Sequence, residues 1–181
     1  MSRVRFIFSG SGGQGVITAA VILGEAAVMH EGLNAVQSQS YGPEARGGAA
    51  RSEVIISDEP INFPKVNNAN VLVCLTQQAY NKYSTAIRPG GLVVTDSRNV
   101  ELFKKVDARQ IELPLYDTAS EKAGNPVTMN ICMLGAVVGL TGVVSREAVI
   151  KTLSTRVPPE FLDVNQKAFY LGVALAEPVA L

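Results

Sequence analysis

A chain of 181 residues with 47% apolar and 18% charged side chains has the composition of one globular core, and so few charges that part of its surface is expected to meet a partner. Its 16 basic and 16 acidic residues cancel, which leaves no overall field for nucleic acid or an anionic membrane. The apolar run before the first glycines is too short for a secretory signal and no stretch reaches the roughly 20 apolar residues of a membrane span, so a single cytoplasmic domain over residues 1–181 is expected.

Val4 to Phe8 reads as a short buried strand, broken by glycines before the apolar run Val16 to Met29, which has helical length and composition. Leu33 to Gln39 reads as a second strand. Ser40 to Gly48, rich in Gly, Pro and polar residues, reads as a long loop. Ser52 to Ser57 is β-branched, Asp58-Glu59-Pro60 is a turn, and Ile61 to Phe63 reads as a brief antiparallel return, so this stretch is expected as a hairpin insertion. Val71 to Leu75 has the continuous apolar character of a strand buried on both faces. A helix from Gln77 to Ile87 should follow, stopped by Pro89-Gly90-Gly91, and then strands at Gly91 to Asp96 and Ala108 to Leu113. The last third reads as helices: Tyr116 to Lys122, Val127 to Thr141, Arg146 to Ser154 and Glu160 to Ala176. Ser145 followed by Glu147 marks an N-cap with an acid in the first turn, and Pro158-Pro159 ends the preceding helix. Together these elements predict a three-layer α/β/α sandwich with a mixed, mostly parallel sheet and a helical carboxyl-terminal third.

Gly10-Ser11-Gly12-Gly13-Gln14-Gly15 has the spacing G-x-G-x-x-G between a strand and a helix. Glycines permit positive φ and close backbone approach, so amides at the helix start can converge on an anion; the competing reading is a tight turn that packs helix on sheet. A dinucleotide fold would also need an acid about 20 residues on, at the end of the second strand. Gln37, Ser38, Gln39 and Ser40 stand there instead, which argues against NAD or FAD in the standard mode.

The loop that follows is longer than connectivity requires, and such loops are often functional. Tyr41 offers a hydroxyl or a stacking face and Glu44 a proton acceptor. Arg46, with Arg51 nearby, can clamp a carboxylate or phosphate, unless these arginines are held by Glu44 and Glu53 in local ion pairs. Cys74 and Cys132 are isolated, with no CxxC pair, and read as reduced packing residues. His30, near a helix end, reads as structural.

Several separated motifs then combine. The loop Gly10 to Val16, the run Gln39-Ser40-Tyr41-Gly42-Pro43-Glu44-Ala45-Arg46-Gly47-Gly48-Ala49, Ser52 to Ser57, Asp58 to Ile61 and the helix Asn130 to Thr141 resemble, in order, the gamma subunits of 2-oxoacid:ferredoxin oxidoreductases. The resemblance extends from about Arg3 to Thr141, and Tyr41 to Gly48 is most similar to the 2-oxoglutarate branch, with pyruvate and branched-chain enzymes as the alternative. It implies a subunit that is inactive alone and works beside alpha, beta and ferredoxin-like delta subunits. Those partners would hold thiamine diphosphate, magnesium and iron–sulfur clusters, would oxidise the 2-oxoacid with coenzyme A as substrate, and would pass electrons to ferredoxin or another acceptor. Gly10, Gly12, Gly13, Gln14, Gly15, Tyr41, Glu44 and Arg46 are the residues expected to touch coenzyme A or a neighbouring subunit, and the isolated chain is expected to form a homodimer. This chain is expected to bind no cofactor alone and no metal, since two dispersed cysteines cannot supply the thiolates of a cluster. A stand-alone nucleotide-binding protein is the alternative outside the family.

Overall fold

The computed structural model describes residues 3–40, 48–103 and 105–179. Six strands form one mixed sheet in the order β2-β3-β1-β4-β5-β6. They are β1 (Val4–Ser11), β2 (Asn34–Ser40), β3 (Ala49–Ser57), β4 (Ala69–Cys74), β5 (Ile87–Asp96) and β6 (Ala108–Leu113). The helices are α1 (Val16–Glu31), α2 (Gln77–Tyr83), α3 (Leu115–Asp117), α4 (Met129–Thr141), α5 (Arg146–Arg156) and α6 (Pro159–Ala176). The layered α/β architecture with a helical final third is therefore as the sequence predicts. No helix among the described residues is long and apolar enough to cross a membrane.

Strands β1, β4, β5 and β6 run parallel, whereas β3 inserts antiparallel between β1 and β2. Phe6, Ile7 and Phe8 are buried on both faces of β1, which explains their uninterrupted apolar run. The expected hairpin of Ser52 to Phe63 does not form. Residues 60–66 are irregular, and β3 takes its partners from β1 and β2 instead, because burying Val54, Ile55 and Ile56 on both faces needs two neighbouring strands.

Two further expectations change. The helix from Gln77 stops at Tyr83, a 3-10 turn covers Ser84–Ala86, and β5 already begins at Ile87. Pro89-Gly90-Gly91 is thus a bulge within β5 and not a helix stop: Ala69 pairs with Ile87 but Val71 with Leu92. The segment after β6 is an α-turn that widens into a π-helical turn over Thr118–Ala123, and α4 is preceded by a 3-10 turn at Pro126–Thr128.

The two faces of the sheet are covered unequally. Helices α1, α4, α5 and α6 share one large core with Phe6, Phe8, Val54, Val73 and Val94. The other face has only α2 and irregular segments over Ile7, Ile55, Leu72 and Val93. Helix α4 is apolar all round because it is buried all round: every residue from Met129 to Val138 is inside. It meets α6 through small residues. A Cβ added to Gly135 would lie 2.0 Å from the Phe169 carbonyl oxygen, and one on Gly172 1.8 Å from that of Cys132.

Candidate functional site

The site grows from the end of β1. Strand pairing carries β1 through Gly10 to Ser11, and the chain then closes a turn in which the Gln14 amide donates to the Ser11 carbonyl at 3.2 Å. The Gln14 side chain folds back to accept from the Ser11 amide at 2.7 Å. It lies over Gly10, where an added Cβ would stand 2.4 Å from Gln14 Oε1. Gly15 ends the turn in the left-handed region (φ 73°) and starts α1. A Cβ there would be 2.4 Å from the Nδ2 of Asn130, which donates to the Gly15 carbonyl at 3.2 Å from the first turn of α4. Gly10 and Gly15 are therefore packing glycines.

Gly12 and Gly13 are different. Both are exposed, a Cβ on either would meet nothing within 4 Å, and Gly13 has φ 88°. Helix α1 behind them has neither a side-chain cap nor an acid in its first turn. The helix start with its positive dipole end thus begins without a capping side chain, and the backbone at Gly12-Gly13 borders open space.

This loop sits at the carboxyl ends of the parallel strands, where ligands bind in open α/β sheets. The Leu75 amide after β4 donates to the Ser9 carbonyl at 2.9 Å, and α2 is capped by Thr76, whose hydroxyl accepts from the Ala79 amide at 3.2 Å. At the end of β5, Asp96 is fully buried and accepts from the Tyr116 amide at 3.0 Å and from Asn99 Nδ2. Burial raises its pKa above the ordinary carboxylate value, against the pull of these hydrogen bonds. Asp96 organises the turn after β5. On the surface above it Arg98 pairs with Asp117 at 2.7 Å and lies over the Tyr116 ring.

Of the loop between β2 and β3, Tyr41, Glu44 and Arg46 lie outside the described residues. Its downstream flank is placed by register: Ala49 pairs with Ser11, and Arg51 with Ser9, so the flank adjoins the glycine loop. Arg51 itself is held by this chain. Its guanidinium pairs with Glu53 at 2.6 Å, with side chains only 18% and 13% exposed, donates to the Val66 carbonyl at 2.5 Å and lies over Tyr83. Glu53 also accepts from the Val66 amide at 2.8 Å. The ion-pair alternative is the one the structure shows for Arg51, whose guanidinium ties the start of β3 to the segment at Val66.

Cys74 and Cys132 are buried, and burial pushes the Cys132 thiol up to about 12, so it stays a neutral packing group. His30 is exposed in the last turn of α1. Among the described residues no three His, Cys, Asp or Glu side chains converge as metal ligands. Asn130 is the neighbour of the glycine loop that the spacing of the glycines does not reveal, since it comes from a helix more than a hundred residues away.

A glycine loop at the carboxyl edge of a mixed sheet, with one antiparallel strand inserted beside the central one, defines the class of domain. The family model described as pyruvate ferredoxin/flavodoxin oxidoreductase matches residues 5–175, and the chain belongs to that family. It is 49% identical, over 97% of its length and 95% of the relative, to the 2-oxoglutarate synthase subunit KorC of Methanocaldococcus jannaschii. It is 32% identical, over 89% and 90% of the two chains, to the common gamma subunit of the pyruvate and ketoisovalerate oxidoreductases of Thermococcus litoralis. Its fold superposes on the gamma subunit of a keto/oxoacid ferredoxin oxidoreductase from Geobacter sulfurreducens with a TM-score of 0.88, at 44% identity over 97% and 99% of the chains.

Proposed function

We propose that this chain is the gamma subunit of a 2-oxoglutarate:ferredoxin-type oxidoreductase, one domain that completes a complex whose other subunits carry the redox chemistry. The observation that carries this reading is 49% identity over nearly the whole of a 2-oxoglutarate synthase subunit, together with conserved-length coverage of both chains. The complex would convert 2-oxoglutarate, coenzyme A and oxidised acceptor to succinyl-CoA, carbon dioxide and reduced acceptor, the two electrons leaving the 2-oxoacid as its carboxylate is lost and the thioester forms. Thiamine diphosphate supplies the carbanion chemistry when bound in its partner subunits, and iron–sulfur clusters there carry the electrons. The chain's own part is binding and shaping: open backbone at Gly12-Gly13 and the dipole of α1 receive an anionic group of coenzyme A or of a neighbouring subunit, with Tyr41, Glu44 and Arg46 as further contacts. A gamma subunit common to two oxidoreductases in the Thermococcus relative supports placing the choice of 2-oxoacid in the other subunits. Work in the cytoplasm follows from the same reading, as does weak self-association of the isolated chain, which sedimentation at high micromolar concentration tests.

The test of function is reconstitution. Co-expressed alpha, beta and delta subunits, assayed for 2-oxoglutarate-dependent reduction of ferredoxin with and without this chain, should gain activity only with it. Equal turnover without it would overturn the reading.

A further inference from the structure

The end of the sheet opposite the glycine loop carries a concavity. Arg5 at the start of β1, Phe63, Lys65, Asn67 and Asn68 from the connection to β4, and Arg88 from β5 line a depression of about 340 Å³. The fold builds it deliberately from three chain segments. Asn70 Oδ1 accepts from the Arg5 amide at 3.0 Å and so locks the starts of β1 and β4 together. The bulge in β5 sets residues 88–91 opposite the single residue Asn70, which turns Arg88 out of the ladder. Gly90, at φ 70°, pins that bulge by donating to the Asp107 carbonyl at 2.8 Å.

Three cations therefore share one hollow in a chain with no net charge overall. None of Arg5, Lys65 and Arg88 forms an ion pair among the described residues, whereas Arg51, Arg98, Arg146 and Arg156 all do. Phe63 stands beside them 57% exposed. Arginine with an exposed aromatic is the composition of an interface centre, and unpaired cations call for acidic complement. The hollow has no glycine loop or helix start to supply converging amides for a phosphate.

We infer that this hollow docks an acidic segment of a partner subunit, with carboxylates among Arg5, Lys65 and Arg88 and an apolar side chain against Phe63. The inference rests on the subunit reading above. Its position suits it to that role, because a partner gripping the amino ends of the strands leaves the glycine loop at their carboxyl ends open.

The test compares wild type with the triple variant Arg5→Gln, Lys65→Gln, Arg88→Gln, and separately with Phe63→Ser, in binding to the remaining subunits at low and high salt. The triple variant should bind roughly 10- to 100-fold more weakly at low salt and show a flatter salt dependence. Phe63→Ser should weaken binding without changing the salt dependence. The thermal midpoints of the isolated variants should match wild type, since these side chains make no internal ion pair. Unchanged affinity and salt dependence in the triple variant, while wild type binds, would overturn the inference. So would saturable binding of pyrophosphate or ADP to the isolated chain that is lost in the triple variant while assembly is unaffected, which would make the hollow a small-anion site. A wild-type chain that fails to bind the other subunits at all would instead sink the subunit reading, and this inference with it.

Discussion

Within the glycine loop, neighbouring residues of one type carry different duties, and substitution separates them. At Gly15 an alanine must hold a left-handed φ of 73° and must displace Asn130. The first costs roughly 1–2 kcal/mol and the overlap about 1–3 kcal/mol more, so Gly15→Ala should lower unfolding free energy by about 2–5 kcal/mol in urea denaturation. Gly12→Ala meets open space at an ordinary φ and should change stability by less than about 0.5 kcal/mol. If Gly12→Ala nonetheless raises the Michaelis constant for coenzyme A in the assembled enzyme, the atom it meets belongs to a ligand or partner. Asp96 gives a second residue-scale expectation. Because burial raises its folded pKa above the unfolded 3.8, its contribution to stability is fully present below that value and is lost as pH rises through the raised pKa. Asp96→Asn keeps an acceptor for the Tyr116 amide, and a turned Asn99 amide can meet the new NH2 group. The variant should therefore be at least as stable as wild type at pH 7, and denaturation at pH 4 and 7 should show a smaller change than in wild type. The spacing of the glycines and their strand-to-helix setting were legible because both are local. The local Arg51–Glu53 pair was legible as one of two readings, but Asn130 reaching Gly15 and Arg51 reaching the Val66 carbonyl were not, since both depend on segments brought together by the fold.

Secondary-structure elements show the same division. The apolar runs of β1, β4 and α4 announce themselves, because burial on all sides leaves no polar alternation to misread. Pro89-Gly90-Gly91 misleads for a physical reason: the residues that stop a helix are also those that permit a β-bulge, and only the pairing of Val71 with Leu92 decides between them. Placement of β3 between β1 and β2 is likewise a matter of topology that alternation cannot encode. The α4–α6 contact yields a sharp expectation. In an exposed helix Gly→Ala gains about 1 kcal/mol in propensity. At Gly172 the added methyl would lie 1.8 Å from the Cys132 oxygen and at Gly135 2.0 Å from the Phe169 oxygen, both backbone atoms that cannot turn aside. The helices must separate, so overlap at the upper end of the usual cost or above, about 3 kcal/mol, outweighs propensity, and each variant should lose about 2 kcal/mol or more. Because one separation relieves both overlaps, the double variant should lose clearly less than the sum of the two in a double-mutant cycle.

At the scale of the whole molecule, the uneven covering of the sheet sets where the chain opens and where partners can add protection. Helices α1 and α4 lie between the sheet and the outer helices α5 and α6, and their amides should exchange only through global unfolding. The other face depends on the seven residues of α2 and on irregular segments at 58–68 and 97–103. These segments expose Phe63 and Phe103, and their backbone is tied by turns and side chains in place of a strand ladder, as the Glu101 amide is to Gln77 at 2.7 Å. Each kcal/mol of opening free energy is worth about fivefold in exchange rate, so amides here should exchange several orders of magnitude faster than those of α4 in the isolated chain. The complex should change this unevenly. If partners dock on the hollow at the amino ends of the strands, protection should rise in residues 61–68 and 86–91, and should rise at residues 12–15 only when coenzyme A or a subunit covers the glycine loop. Exchange in α5, whose outer face carries Lys151, Ser154 and Thr155, should stay as it is in the isolated chain. Hydrogen exchange read by mass spectrometry on the isolated chain, on the complex, and on the complex with coenzyme A distinguishes the three patterns. Protection confined to α5 and α6 would place the interface on the thick side of the molecule and contradict the docking argued from charge.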